Sequence, residues 1–229
     1  MQYNNSEYVV LNSNRVAFAA NRVLRKTYFL LSSTILFSAL VTVVTLRGIL
    51  PFVLNPSLTI AGMFGLLFLT RALASCRSKW ALLVVFAFTG FMGCTLAPLL
   101  AHYLTAFTNG VAIVQMSLIG TGVVFSALSL YVVVSRKDFS YMAGFLFVAF
   151  CVAFLAGVAS LFLQWELLSV LVSSAFVLLS SGFILFRTSQ IVNGGEDNYV
   201  MATICLYVSI YNLFVSLLNV LSFFAGRRS

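Results

Sequence analysis

Long apolar runs, broken by short polar stretches, occupy nearly the whole chain, and the charged residues fall between the runs or at their ends. A bilayer core of about 30 Å is crossed by about 20 apolar residues in a helix. Runs bounded by charge, Pro or Gly predict seven such helices, over Thr27–Leu46, Phe52–Thr70, Trp80–Ala101, Val111–Val134, Phe139–Leu163, Leu167–Phe186 and Tyr199–Phe224. The predicted architecture is an all-α integral membrane protein. It has a cytoplasmic N-terminal tail over residues 1–26, a transmembrane domain over 27–226, and a short extracytoplasmic C-terminus over 227–229.

Loop order sets the orientation. Arg15, Arg22, Arg25 and Lys26 precede the first run, Arg71, Arg77 and Lys79 follow the second, Arg136 and Lys137 the fourth, and Arg187 the sixth. The other side holds only Arg47, Arg227 and Arg228. The positive-inside rule therefore places the N-terminus in the cytoplasm and the C-terminus outside. The tail is mixed in polarity and too poor in apolar residues to pack alone, so it is expected to be mobile. The first 26 residues are polar and the run after them is full length, so no cleavable signal peptide is expected. The second external loop is expected over Leu99–Gly110, with His102 in it as a solvated interface residue.

Composition supports the same class: 62% of the 229 residues are apolar and only 8% charged, against about a quarter charged in soluble domains. The net charge of +8 reads as helix-flanking basic residues meeting anionic lipid. No aromatic-interleaved basic patch points to nucleic acid. Cys76, Cys94, Cys151 and Cys205 are scattered, without CxxC spacing or a histidine nearby, and read as small apolar filler. Neither a catalytic motif such as GxSxG or HExxH nor a paired intramembrane carboxylate occurs, so neither enzyme chemistry nor a cofactor is expected. Intramembrane acids that would relay protons or cations are likewise missing from the runs.

Helices in lipid associate through small and polar side chains rather than through exclusion of water. In the seventh run Ser209, Asn212, Ser216 and Asn219 recur at spacings of three, four and three, which puts them on one face. That polar seam is expected to turn inward, with the stripe of Tyr207 and Tyr211 beside it, and to tie helices together rather than line an ion path. Thr34, Ser38 and Thr42 (or Thr45) in the first run, and Ser173, Ser174, Ser180 and Ser181 in the sixth, read as further contact faces. Asp138, just before Phe139, reads as a helix N-cap.

Five segments together resemble the Bax inhibitor family of seven-span proteins, in its bacterial YccA-like branch. They are Arg22-Val-Leu-Arg-Lys-Thr-Tyr-Phe-Leu-Leu-Ser32, Phe86-Ala-Phe-Thr-Gly-Phe-Met-Gly93, Arg136-Lys-Asp-Phe-Ser140, Phe186-Arg-Thr-Ser-Gln-Ile-Val-Asn-Gly-Gly-Glu-Asp-Asn-Tyr199 and Leu206-Tyr-Val-Ser-Ile-Tyr-Asn-Leu-Phe214. The resemblance implies six helices around a central seventh. In calcium-leak members it also implies an acidic pair, one Asp ending the sixth helix and one within the seventh, which senses pH by sharing a proton.

The positions in this chain that match the acidic pair are Arg187 and Ser209, which reverse one charge and remove the other. That departure argues against calcium or proton binding and against the alternative function, a pH-dependent cation leak. Arg187 reads first as an end-of-helix anchor complementing the helix dipole, and second as a latch to Asp138, Glu196 or Asp197. The branch is implied to be a substrate and modulator of the ATP-dependent membrane protease FtsH in the bacterial inner membrane. The tail that carries Arg15 and Arg22 would be the segment the protease grips.

Overall fold

The computed structural model describes residues 3–48, 56–75, 80–163 and 165–226, and no strand occurs among them. In order they form α1 (Tyr3–Leu46), α2 (Pro56–Ser75), α3 (Ala81–Ala106), α4 (Gly110–Ser135), a 3-10 turn (Ser140–Met142), α5 (Ala143–Leu163), α6 (Glu166–Val192) and α7 (Tyr199–Gly226). Six helical segments are long and apolar enough to cross a membrane: Asn21–Leu46, Ala81–Ala106, Gly110–Ser135, Ser140–Ser160, Glu166–Val192 and Tyr199–Gly226. Their outward faces carry large bare apolar side chains, with Phe29 76%, Leu178 75% and Phe145 70% exposed. In water such a surface would drive association, whereas lipid tails are as apolar as the side chains themselves.

Several helices run beyond the apolar stretches that predict them. Residues 3–26, expected as a mobile tail, continue α1 as helix. α3 passes through Pro98 to Ala106, so His102 lies on a helix rather than in a loop, with its ring 5.8 Å from that of Tyr103. An interior Pro is tolerated in membrane helices because neighbouring groups satisfy the backbone that it frees. α6 extends past Phe186 to Val192, because Thr188, Ser189 and Ile191 are buried and hold the last turns in the bundle. α2 starts at Pro56, after the expected Phe52, and residues 51–55 lie outside the described residues, as do Arg77, Lys79 and the C-terminal Arg227 and Arg228.

The core forms where α7 meets its neighbours. Val85 and Phe88 of α3, Ile191 of α6 and Leu206, Leu213 and Leu218 of α7 are fully buried. Among the described residues α7 packs against α1, α2, α3, α4 and α6, whereas α5 packs against α6 and the 3-10 turn alone. The expected ring of six helices is therefore incomplete around α7, since α5 stands outside α6. α1 and α3 approach so closely that a Cβ added to Gly93 would sit 2.5 Å from the Ser38 carbonyl oxygen. The small residue lets the backbones meet, as is usual between helices in lipid, and the Thr42 hydroxyl shares its one proton between the Ser38 carbonyl of its own helix at 2.8 Å and the Gly93 carbonyl across the seam at 2.9 Å.

Candidate functional site

The sequence places Arg187 and Ser209 on different helices, and the fold brings both to one cavity of about 190 Å³. Its floor is α6 and α7, with Ser180 and Arg187 from the first and Ser209 and Asn212 from the second. Leu67 and Arg71 of α2 form one wall and Phe150 of α5 the other. Among the described residues α2 and α5 make no close backbone contact, so the cavity has walls but no backbone bridge across them.

Arg187 lies inside α6, five residues before its end, rather than at the terminus. Its Nη1 donates to Gln190 Oε1 at 2.9 Å, one helical turn on, and the guanidinium lies 5.2 Å from the Phe186 ring centroid. The latch to Asp138, Glu196 or Asp197 is not formed, because each acid is committed or placed elsewhere. Asp138 Oδ1 accepts the Ser140 amide at 2.8 Å, and Glu196 Oε1 accepts the Asn198 amide at 3.1 Å. Asp197 lies in the turn ahead of α7. The second cation, Arg71, is exposed and has no hydrogen-bonding partner among the described residues.

The seam on α7 divides into two parts. Ser209 Oγ donates to its own helix, to the Cys205 carbonyl at 2.9 Å. Asn212 is half-buried and opens into the cavity. Further along, Asn219 Nδ2 donates to Ser169 Oγ at 3.1 Å and to Ser173 Oγ at 2.9 Å, clamping α7 to α6. Ser216 is buried between them. Hence Asn219 ties helices together, as the spacing predicts, while Ser209 and Asn212 face a space. The neighbouring tyrosine stripe is knitted in as well. Tyr207 donates to Ser38 Oγ at 2.7 Å, and the Tyr211 hydroxyl lies 3.4 Å from Thr95 Oγ1.

Asp138 is not an α-helix N-cap: it lies one residue before Phe139, the N-cap position of the 3-10 turn, and accepts the amide of the turn's first residue, Ser140. The side-chain and backbone hydrogen bonds of Ser140 hold its carboxyl below the ordinary carboxylate range. The loop it belongs to is fastened from α6: Ser189 Oγ accepts the Phe139 amide at 2.9 Å and donates to the Lys137 carbonyl at 3.0 Å. No local pattern marks Ser189, because its partners lie about fifty residues away. Asn198 could have been found, since its Oδ1 accepts the Val200 and Met201 amides, and an Asn directly before an apolar helical run is a capping signal.

The sequence profile described as "Inhibitor of apoptosis-promoting Bax1" matches residues 20–226. The chain belongs to this family. Within the family, the protein named "Modulator of FtsH protease YccA" in Escherichia coli K12 is 45% identical to it, over 90% of this chain and 91% of that protein. A Pseudomonas aeruginosa protein of uncharacterised function is 47% identical over 89% of this chain and 90% of its own length. An uncharacterised membrane protein of Vibrio cholerae is 42% identical over 88% and 89% respectively. Within the Bax inhibitor family this chain is thus a YccA-like member, and a multi-pass membrane protein by its helices.

Proposed function

We propose that this protein is an inner-membrane regulator that binds an FtsH-type ATP-dependent protease, is drawn on by it as a substrate, and so slows its turnover of other membrane proteins. The observation that carries the reading is the 45% identity, spanning nine-tenths of both chains, to the E. coli protein named as that protease's modulator. The second E. coli relative, matching equally, is named an inner membrane protein, which supports the same compartment here. In this reading α2 completes seven spans, the N-terminus is cytoplasmic as the ten basic flanking residues require, and the C-terminus is periplasmic.

Two features support this mechanism. α1 runs as helix from Tyr3 to Leu46, so the segment that carries Arg15 and Arg22 would serve as a helical handle. Behind it, α1 is packed against α3, α6 and α7. Pulling it from lipid would expose polar groups such as the Ser38 hydroxyl that binds Tyr207. Traction by the protease would therefore meet a resistant body and release slowly. No calcium path is proposed, because the position matching one acid of the family's pair is a guanidinium and a second guanidinium, Arg71, shares its cavity.

Affinity isolation of the full chain from native membranes tests the partner, and recovery of the hexameric protease is expected. Degradation of the full chain and of a chain lacking residues 1–14 tests the handle. Unchanged turnover of the shortened chain would remove the handle from the mechanism, and steep pH-dependent calcium flux from the unmodified protein in liposomes would overturn the non-conducting reading.

A further inference from the structure

We propose that the cavity between α2 and α5 holds an anionic phospholipid, its phosphate on Arg71 and Arg187 and an acyl chain lying against Phe176 and Phe183. The inference is independent of the protease reading, since it rests on the cavity alone. Three observations converge on this occupant.

First, the lining is graded. Two guanidiniums stand at one end, from the C-terminal halves of α2 and α6, and Leu67, Phe150, Phe176, Phe183 and Val208 make most of the rest apolar. A cation-flanked apolar slot between membrane helices matches a molecule that is anionic at one end and hydrocarbon at the other. Secondly, the length is that of one leaflet. Phe176 and Arg187 are eleven residues apart on α6, about 16 Å at 1.5 Å per residue, roughly half of a hydrocarbon core of about 30 Å. Thirdly, the described residues of α2 and α5 wall the slot without close backbone contact, which leaves a lateral gap where a lipid chain would enter.

Donors remain for the headgroup. Arg187 commits one nitrogen, Nη1, to Gln190, and a guanidinium carries five N–H groups in all. Arg71 is exposed and free among the described residues. A forked guanidinium suits phosphate oxygens better than a point charge does. Asn212 lies deeper in the same cavity without a hydrogen bond among the described residues, positioned for an ester carbonyl.

The test uses the full chain purified in mild detergent and titrated with phosphatidylglycerol or phosphatidylcholine, with bound lipid counted by native mass spectrometry. The wild-type chain is expected to retain phosphatidylglycerol at least tenfold more tightly than phosphatidylcholine. The Arg71→Gln plus Arg187→Gln variant is expected to lose that preference. Arg25→Gln, which removes an exposed cation outside the cavity, should keep it. Val208→Phe fills the slot with both arginines intact and should weaken retention without changing charge. Equal phosphatidylglycerol retention in the double variant and the wild type would overturn the proposal. So would an equal loss in Arg25→Gln, which would reduce the effect to surface electrostatics. Displacement of the lipid by millimolar inorganic phosphate would replace it with a free-anion site.

Discussion

Replacing Gly93 with Ala tests whether α1 and α3 are held at contact distance by a missing side chain. The new Cβ would lie 2.5 Å from the backbone oxygen of Ser38, while real Cβ atoms essentially never approach within 3.0 Å. The helices must part by at least about 0.5 Å, and a backbone carbonyl cannot swing aside as a side chain would. A gap of 0.5–1 Å forfeits roughly a quarter to a half of each dispersion contact along the seam, and it lengthens the 2.9 Å bond from Thr42 to Gly93. Overpacking of this kind typically costs about 1–3 kcal/mol. Opposing it is the helix preference of Ala over Gly, about 1 kcal/mol. Gly122→Ala in α4 isolates the clash, because its Cβ would meet nothing within 4 Å while gaining the same preference. Unfolding of both variants by denaturing detergent should therefore place Gly93→Ala below Gly122→Ala by roughly 1–3 kcal/mol. Equal stability of the two would show that close approach at Ser38 does not determine the α1–α3 seam.

Three further outcomes follow from contacts outside that seam. Asn219→Ala removes two bonds to Ser169 and Ser173 and should cost about 0.6–1.7 kcal/mol in the same unfolding assay. In a Ser169→Ala plus Ser173→Ala background the same change should cost much less, and an undiminished cost would refute the clamp. Ser189→Ala strips partners from the Phe139 amide and the Lys137 carbonyl, a loss of about 1–3 kcal/mol where such groups stay buried; trypsin should then cut at Arg136 and Lys137 several-fold faster. Asp138 has a depressed folded pKa, so its contribution to the 3-10 turn is complete above the ordinary carboxylate pKa. It is lost as pH falls through the lowered folded value. The Ser140 amide resonance should report that transition in the wild type and lose it in Asp138→Asn.

What could be read from the sequence was the part that lipid dictates. Hydrocarbon forces every backbone group into a helix, so long apolar runs became helices, and the start of α7 at Tyr199 fell where predicted. The Thr42 and Ser38 stripe and Asn219 made interhelical bonds because a polar face in lipid has few other options. Helix ends were less legible: α6 outran its apolar stretch because buried Thr188 and Ser189 carried it on, which depends on neighbours and not on local hydropathy. The position of α5 was also hidden, since its evenly apolar surface names no preferred side. The meeting of Arg187 with Ser209 was implied by the resemblance, but the rest of the cavity could not be read. It joins Arg71 to Arg187 and Asn212 across three helices, and spacing along one chain says nothing of such a meeting.

The lateral position of α5 has a mechanical consequence. Among the described residues it is fastened to a single neighbouring helix and the 3-10 turn before it, yet it lies mid-chain, away from the helices that a pull on α1 or α7 would load. Force applied at either terminus first loads α1 or α7, each bolted to several others. A joint made to one helix is thereby shielded from a pull on α1, and the molecule should yield late and all at once rather than peel plank by plank.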